Sequence, residues 1–196
     1  MRKSSKPENG RRAIEWNCTF ILILALLLTT ANATAQNIPW QPDQMLTWTD
    51  FQGKPDAGSS FLAYTAYTIG YSSKYDQDGK ITVSVTCSFD KSRSWKTPEN
   101  KLTDKLLVHE QLHFCVAEIY ARKMRKAFHD YAATHKAGTG TSADLDKIFI
   151  DLMQQSHDYN DQYDIATNHS TIAEKQEEWR KKITRELNAL DAYVVK

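Results

Sequence analysis

From Leu102 to about Tyr131 the chain contains neither proline nor glycine, and its apolar residues recur at helical spacing. That stretch dictates one long helix, and the rest of the protein must be built so as to cover its apolar face. The chain ahead of it carries a different period. Ile81, Val83, Val85, Cys87 and Phe89 alternate with Thr82, Ser84, Thr86 and Ser88, the pattern of a strand with one buried face. Phe61, Ala63, Tyr67, Ile69 and Tyr71 share a parity, with Thr65 the exception, and Asp76-Gln77-Asp78-Gly79 supplies the turn that joins the two runs as an antiparallel hairpin. Met45 to Phe51 reads as a further strand or its entry. Beyond the long helix, Thr134 to Thr141 is a polar connection and Ser142 is placed to cap a second helix reaching about Tyr159. Thr171, with Glu174 three residues on, predicts a capping box that opens a third helix to about Tyr193. The expected class is α+β: an N-terminal antiparallel sheet, a long helix, then a helical C-terminal part.

The first 35 residues read as an address. Arg2, Lys3, Lys6, Arg11 and Arg12 outweigh Glu8 and Glu15, an apolar run follows from Thr19 to Leu28, and Ala33-Thr34-Ala35 offers a small-x-small cleavage site. These are the parts of a secretory signal peptide, and the run is short of the roughly 20 apolar residues a spanning helix needs. Cys18 precedes the apolar run, the wrong side for a lipid-anchored cysteine. Residues 36–196 are thus expected as a single exported domain, periplasmic or secreted, with no stable membrane insertion after cleavage. Cleavage removes five basic and two acidic residues, turning a formal +1 into a near-neutral, slightly negative balance. Nucleic acid is excluded as a partner on that charge. With 41% hydrophobic and 25% charged residues, a disordered or polytopic membrane chain is excluded too. Cys87 and Cys115 remain, either as two thiols or as a disulfide contributing about 3–4 kcal/mol.

Inside the long helix stands His109-Glu110-Gln111-Leu112-His113, an H-E-x-x-H. Four residues is about one helical turn, so both imidazoles leave the same face and can share a zinc ion. Glu110 sits beside them, placed to take a proton from activated water. On the helical wheel Asp104, Gln111, Glu118 and Arg122 gather in a polar wedge, with Glu118 and Arg122 read as a surface pair. The two histidines lie instead in the apolar sector with Leu106, Val116, Ala117, Tyr120 and Met124. Histidines there need partners: a metal, or backbone carbonyls in a plain core. Val116 and Ile119 replace the Gly and His of the extended metzincin pattern, so the third ligand lies elsewhere. Of His129, His135, His157, Asp164 and His169, the loop position just before Thr171 favours His169, with Asp164 second.

The segments Leu46 to Pro55, Ser94-Trp95, Leu106 to Phe114 and Tyr163-Asp164-x-x-Thr167-x-His169 resemble the bacterial family known as domain of unknown function 922. That family is described as predicted secreted zinc-dependent proteases. The resemblance implies a bacterial source that exports the protein, a zincin-like fold, and His169 in the late motif as a ligand beside His109 and His113. Where the family pattern has Gly, this chain has Leu112 and Ser170, substitutions expected to narrow the cleft. The reading that results is a zinc peptidase: His109, His113 and His169 bind Zn2+, and Glu110 is the general base. Its partner is a peptide or protein substrate held along a sheet edge. Tyr163 is considered as a group stabilising the tetrahedral intermediate, or as a buried structural tyrosine; Trp95 as cleft rim or core plug. Three alternatives stand beside the peptidase: a non-catalytic zinc-bound module of the envelope, an amidase acting on peptidoglycan stem peptides, and a metal-free α+β interaction domain.

Overall fold

The computed structural model describes residues 37–135 and 139–195; the expected signal peptide lies outside the described residues. The architecture is α+β, antiparallel strands followed by three helices. β1 (Ile38–Pro39), β4 (Ile81–Phe89) and β3 (Tyr67–Tyr75) form an antiparallel sheet in that spatial order. β3 and β4 are the expected hairpin, in register from Tyr67 opposite Phe89 to Tyr75 opposite Ile81. Its turn is closed by the Asp76 carboxylate, which accepts from the backbone N–H of Asp78 and Lys80 at 3.0 and 2.8 Å. Gly79 sits there at φ 75°, a conformation that only glycine adopts without penalty. β2 (Ala63–Tyr64) and β5 (Trp95–Lys96) make a separate two-stranded ribbon, so among the described residues β2 has a strand partner on one edge only.

α1 (Asp104–Thr134) is the long helix, opened by Thr103, whose hydroxyl accepts from the N–H of Leu106. The buried face of β4, with Ile81, Val85, Cys87 and Phe89, joins one core with Phe114, Val116, Ile119, Met124 and Phe128 of α1. α2 (Ser142–Thr167) and α3 (Ala173–Ala189) complete the helical part. No described helix is long and apolar enough to cross a membrane.

Several local expectations are corrected. Met45 to Phe51 is not a strand: Trp48–Asp50 is a 3-10 turn, because the Thr47 hydroxyl and N–H both donate to Asp50 Oδ2 at 2.8 Å, a local alternative to the ladder. Leu46 and Phe51 are nevertheless core residues. Thr141, not Ser142, caps α2 in a capping box with Asp144, and the helix runs eight residues past Tyr159. The predicted box at Thr171 does not form. Its hydroxyl donates instead to the Asn168 carbonyl at 2.7 Å, and α3 starts at Ala173 with no side-chain cap.

Apart from exposed Asp104, the polar wedge of α1 is not a surface. Gln111, Glu118 and Arg122 are all buried, Arg122 to 1% exposure. Glu118 does pair with Arg122 at i,i+4, at 3.0 Å, and also takes Arg125 at 2.8 Å. Arg122 in turn donates to the Leu187 carbonyl and to Asp191, and Arg125 to the Tyr193 carbonyl. The C-terminal turn therefore covers the wedge, and charge pairing with full hydrogen bonding is what allows it to be covered. Cys87 and Cys115 are free thiols, and burial pushes both above their ordinary value.

Candidate metal centre

α1 presents His109 and His113 one turn apart towards α2. Their Nε2 atoms stand 3.2 Å from each other, and each lies 3.0 Å from Oδ1 of Asp164 on α2. Donors bound to zinc at about 2.0–2.1 Å in tetrahedral geometry are about 3.3 Å apart, so this triangle has the dimensions of a zinc face. His109 is 3% exposed at its side chain, His113 13% and Asp164 28%. His169 belongs to the same cluster on its open side: Nδ1 is 3.5 Å from Asp164 Oδ1, and the donor atoms of His109, Asp164 and His169 all fall within 4.8 Å of one another.

His169 reaches the cluster through an unusual backbone. Asn168, His169 and Ser170 follow one another at φ 44°, 48° and 71°, closing α2 with left-handed residues. The imidazole packs on Phe61 with ring centres 4.7 Å apart. Of the two positions where the family pattern has Gly, only Ser170 lines the cleft. Leu112 points into the core, so its bulk leaves the opening untouched. His129 and His135 lie at the far end of α1, away from the cleft, whereas His157 lines it.

The electrostatics follow from burial and crowding. Burial opposes charge on His113, but the hydrogen bond to Asp164 and the negative charges of Glu110 and Asp164 prevail and raise its pKa to about 9. Burial likewise opposes charge on Asp164, yet hydrogen bonds from His109 and His113 hold its carboxyl well below the usual range. Metal-free, the cluster is thus a histidine–carboxylate pair ready to exchange a proton for a cation.

Glu110 is buried at 4% exposure and lines the same cleft. Its Oε2 accepts from the Thr65 hydroxyl at 2.7 Å. Thr65, the exception to the strand parity, is inside because it faces this carboxylate. Asn160 is a further site residue that the motif search passed over. Its Oδ1 lies 2.7 Å from His113 Nδ1, while its Nδ2 donates to the Ser156 carbonyl and to Tyr67. A carbonyl can only accept, so the amide orientation is fixed: His113 carries a proton on Nδ1, and Nε2 is the atom that faces the cluster. The signal was available: Asn160 is one turn before Asp164 on the same helix face. Tyr163 is the buried structural alternative. It is 0% exposed, stacks on His109 with ring centres 4.6 Å apart, and meets His113 edge-on.

The cleft has a volume of about 1420 Å³. The segment from Ser60 to Tyr67, which contains β2, forms one wall, and α2 with the turn after it forms the other. Exposed Phe61, Leu62 and Tyr64 on the first wall and Ile165 on the second line this opening. Trp95 and Ser94 are not rim residues: Trp95 is buried, and the Ser94 hydroxyl ties both backbone groups of Ala66.

A family model described as bacterial protein of unknown function (DUF922) matches residues 42–170, which include the triangle, Glu110 and His169. The chain belongs to this family. No curated protein and no solved structure matches it. Within DUF922's matched span, Gly53 donates to the Ser94 carbonyl at 2.7 Å, and a Cβ there would lie 2.8 Å from the Ser92 carbonyl. The early segment resembling the family thus locks onto Ser94-Trp95 and supports β2 from behind.

Proposed function

We propose that the protein is a zinc-dependent peptidase of the bacterial envelope or exterior. The observation that carries this reading is the donor triangle of His109, His113 and Asp164, with the Glu110 carboxylate in the same cleft. The distances favour Asp164 over His169 as the third protein donor, since one carboxylate oxygen stands equally close to both imidazoles. His169, more exposed, then stands on the side from which substrate arrives. Held by these residues, zinc would supply a water of lowered pKa and polarisation of the scissile carbonyl.

The chain's own groups do the rest. Glu110 accepts the proton of the attacking water and delivers it to the leaving amine, with Thr65 holding the carboxylate in place. The edge of β2 that faces away from β5 suits an extended peptide, which would add to it by main-chain hydrogen bonds.

The test is Glu110→Gln. Hydrolysis of casein or of peptidoglycan stem peptides should fall by at least two orders of magnitude while zinc content stays that of the unsubstituted chain. Casein cleavage without action on stem peptides supports the peptidase, and the reverse makes it an amidase. A non-catalytic zinc module has one observation on its side, the closeness of His169 as a fourth donor that would close the site. It predicts no hydrolysis of either substrate and zinc lost from His169→Ala.

A further inference from the structure

Gln176 lies on α3, beyond the span that the family model matches. It is the only described side chain of that helix with a hydrogen bond to the cluster. Its Oε1 lies 3.1 Å from His109 Nδ1, and its Nε2 donates to the Tyr163 hydroxyl. We propose that Gln176 is a positioning residue that sets metal competence of His109, so that the C-terminal helix is part of the metal centre. This rests on the metal-site reading above.

An amide oxygen only accepts, so with Oε1 against it His109 holds a proton on Nδ1, and the proton that Nε2 shares with Asp164 is the one a metal would displace. With the amide reversed, Nε2 of Gln176 would donate to Nδ1, and the proton of His109 would sit on Nε2, where no metal can bind. Tyr163 holds the amide and the imidazole in place. Its hydroxyl takes the Gln176 N–H, and its ring lies flat against His109. α3 is held in turn by Ile183 in the core and by the Leu187 carbonyl, which accepts from buried Arg122. Each half of H-E-x-x-H is therefore oriented by an amide oxygen, Asn160 for His113 and Gln176 for His109, and only the first is within the matched span.

The experiment measures zinc affinity of the full mature chain by competition with a chelating indicator. Gln176→Met keeps the length and removes the acceptor; Gln176→Glu keeps an oxygen that can only accept. The expected result is a 10- to 100-fold weaker affinity for Gln176→Met, with affinity in Gln176→Glu equal to or tighter than that of the parent chain. A Co2+ absorption spectrum should be altered in the first and preserved in the second. A purely structural role predicts the opposite order, since a carboxylate at a half-buried site disturbs packing more than methionine does. Equal affinity in all three chains, or a weaker Gln176→Glu, overturns the inference while the metal site stands. Absence of zinc binding in the parent chain overturns the underlying reading instead.

Discussion

His113 and Ser170 show how single residues carry the account. The His113 pKa is raised to about 9 in the metal-free protein, against an ordinary value of 6.5. A group shifted upwards stabilises the fold fully below its unfolded value and loses that contribution as pH rises through the folded one. The metal-free protein is therefore expected to lose stability between about pH 6.5 and about pH 9, followed as Tm, and excess zinc should remove the trend. The same proton must leave when zinc enters, so apparent zinc affinity should climb about tenfold per pH unit towards pH 9 and then level. Ser170 at φ 71° bears the conformational cost of the left-handed region. Ser170→Gly should stabilise the protein by about 0.5–1 kcal/mol in urea unfolding. Neither feature is legible in sequence: the first needs Asp164 brought across from another helix, the second a backbone angle.

At the scale of elements, period was legible and surroundings were not. The alternation from Ile81 to Phe89 and the breaker-free run after Leu102 gave the hairpin and α1, because those patterns report which face is buried. The wheel misplaced Gln111, Glu118 and Arg122 because it assumes that a polar wedge meets water, whereas here it meets the C-terminal turn. That difference is measurable. Glu118→Ala would leave Arg122 and Arg125 without their shared carboxylate and should cost about 3–5 kcal/mol, against under 1 kcal/mol for a surface pair. Met45 to Phe51 and Thr171 were misread for a common reason. Short Thr and Asp side chains satisfied their own neighbouring backbone groups, a competition that periodicity cannot register.

At the scale of the whole molecule, H-E-x-x-H announced half of a site, and tertiary structure supplied the remainder. His109, Glu110 and His113 were legible because one helix places them. Asp164 and His169 could only be ranked, since the choice depends on how α2 crosses α1 and how three left-handed residues end it. Thr65 in the link between β2 and β3 and Gln176 on α3 surfaced only with the fold, whereas Asn160 on α2 stands one turn before Asp164 in the sequence. The most direct test is the zinc content of purified residues 36–196, by elemental analysis, beside that of Asp164→Ala and His169→Ala. About one zinc per chain is expected, lost in Asp164→Ala and kept in His169→Ala. No stoichiometric zinc in the parent chain, even after reconstitution, would contradict the metal centre and the peptidase with it.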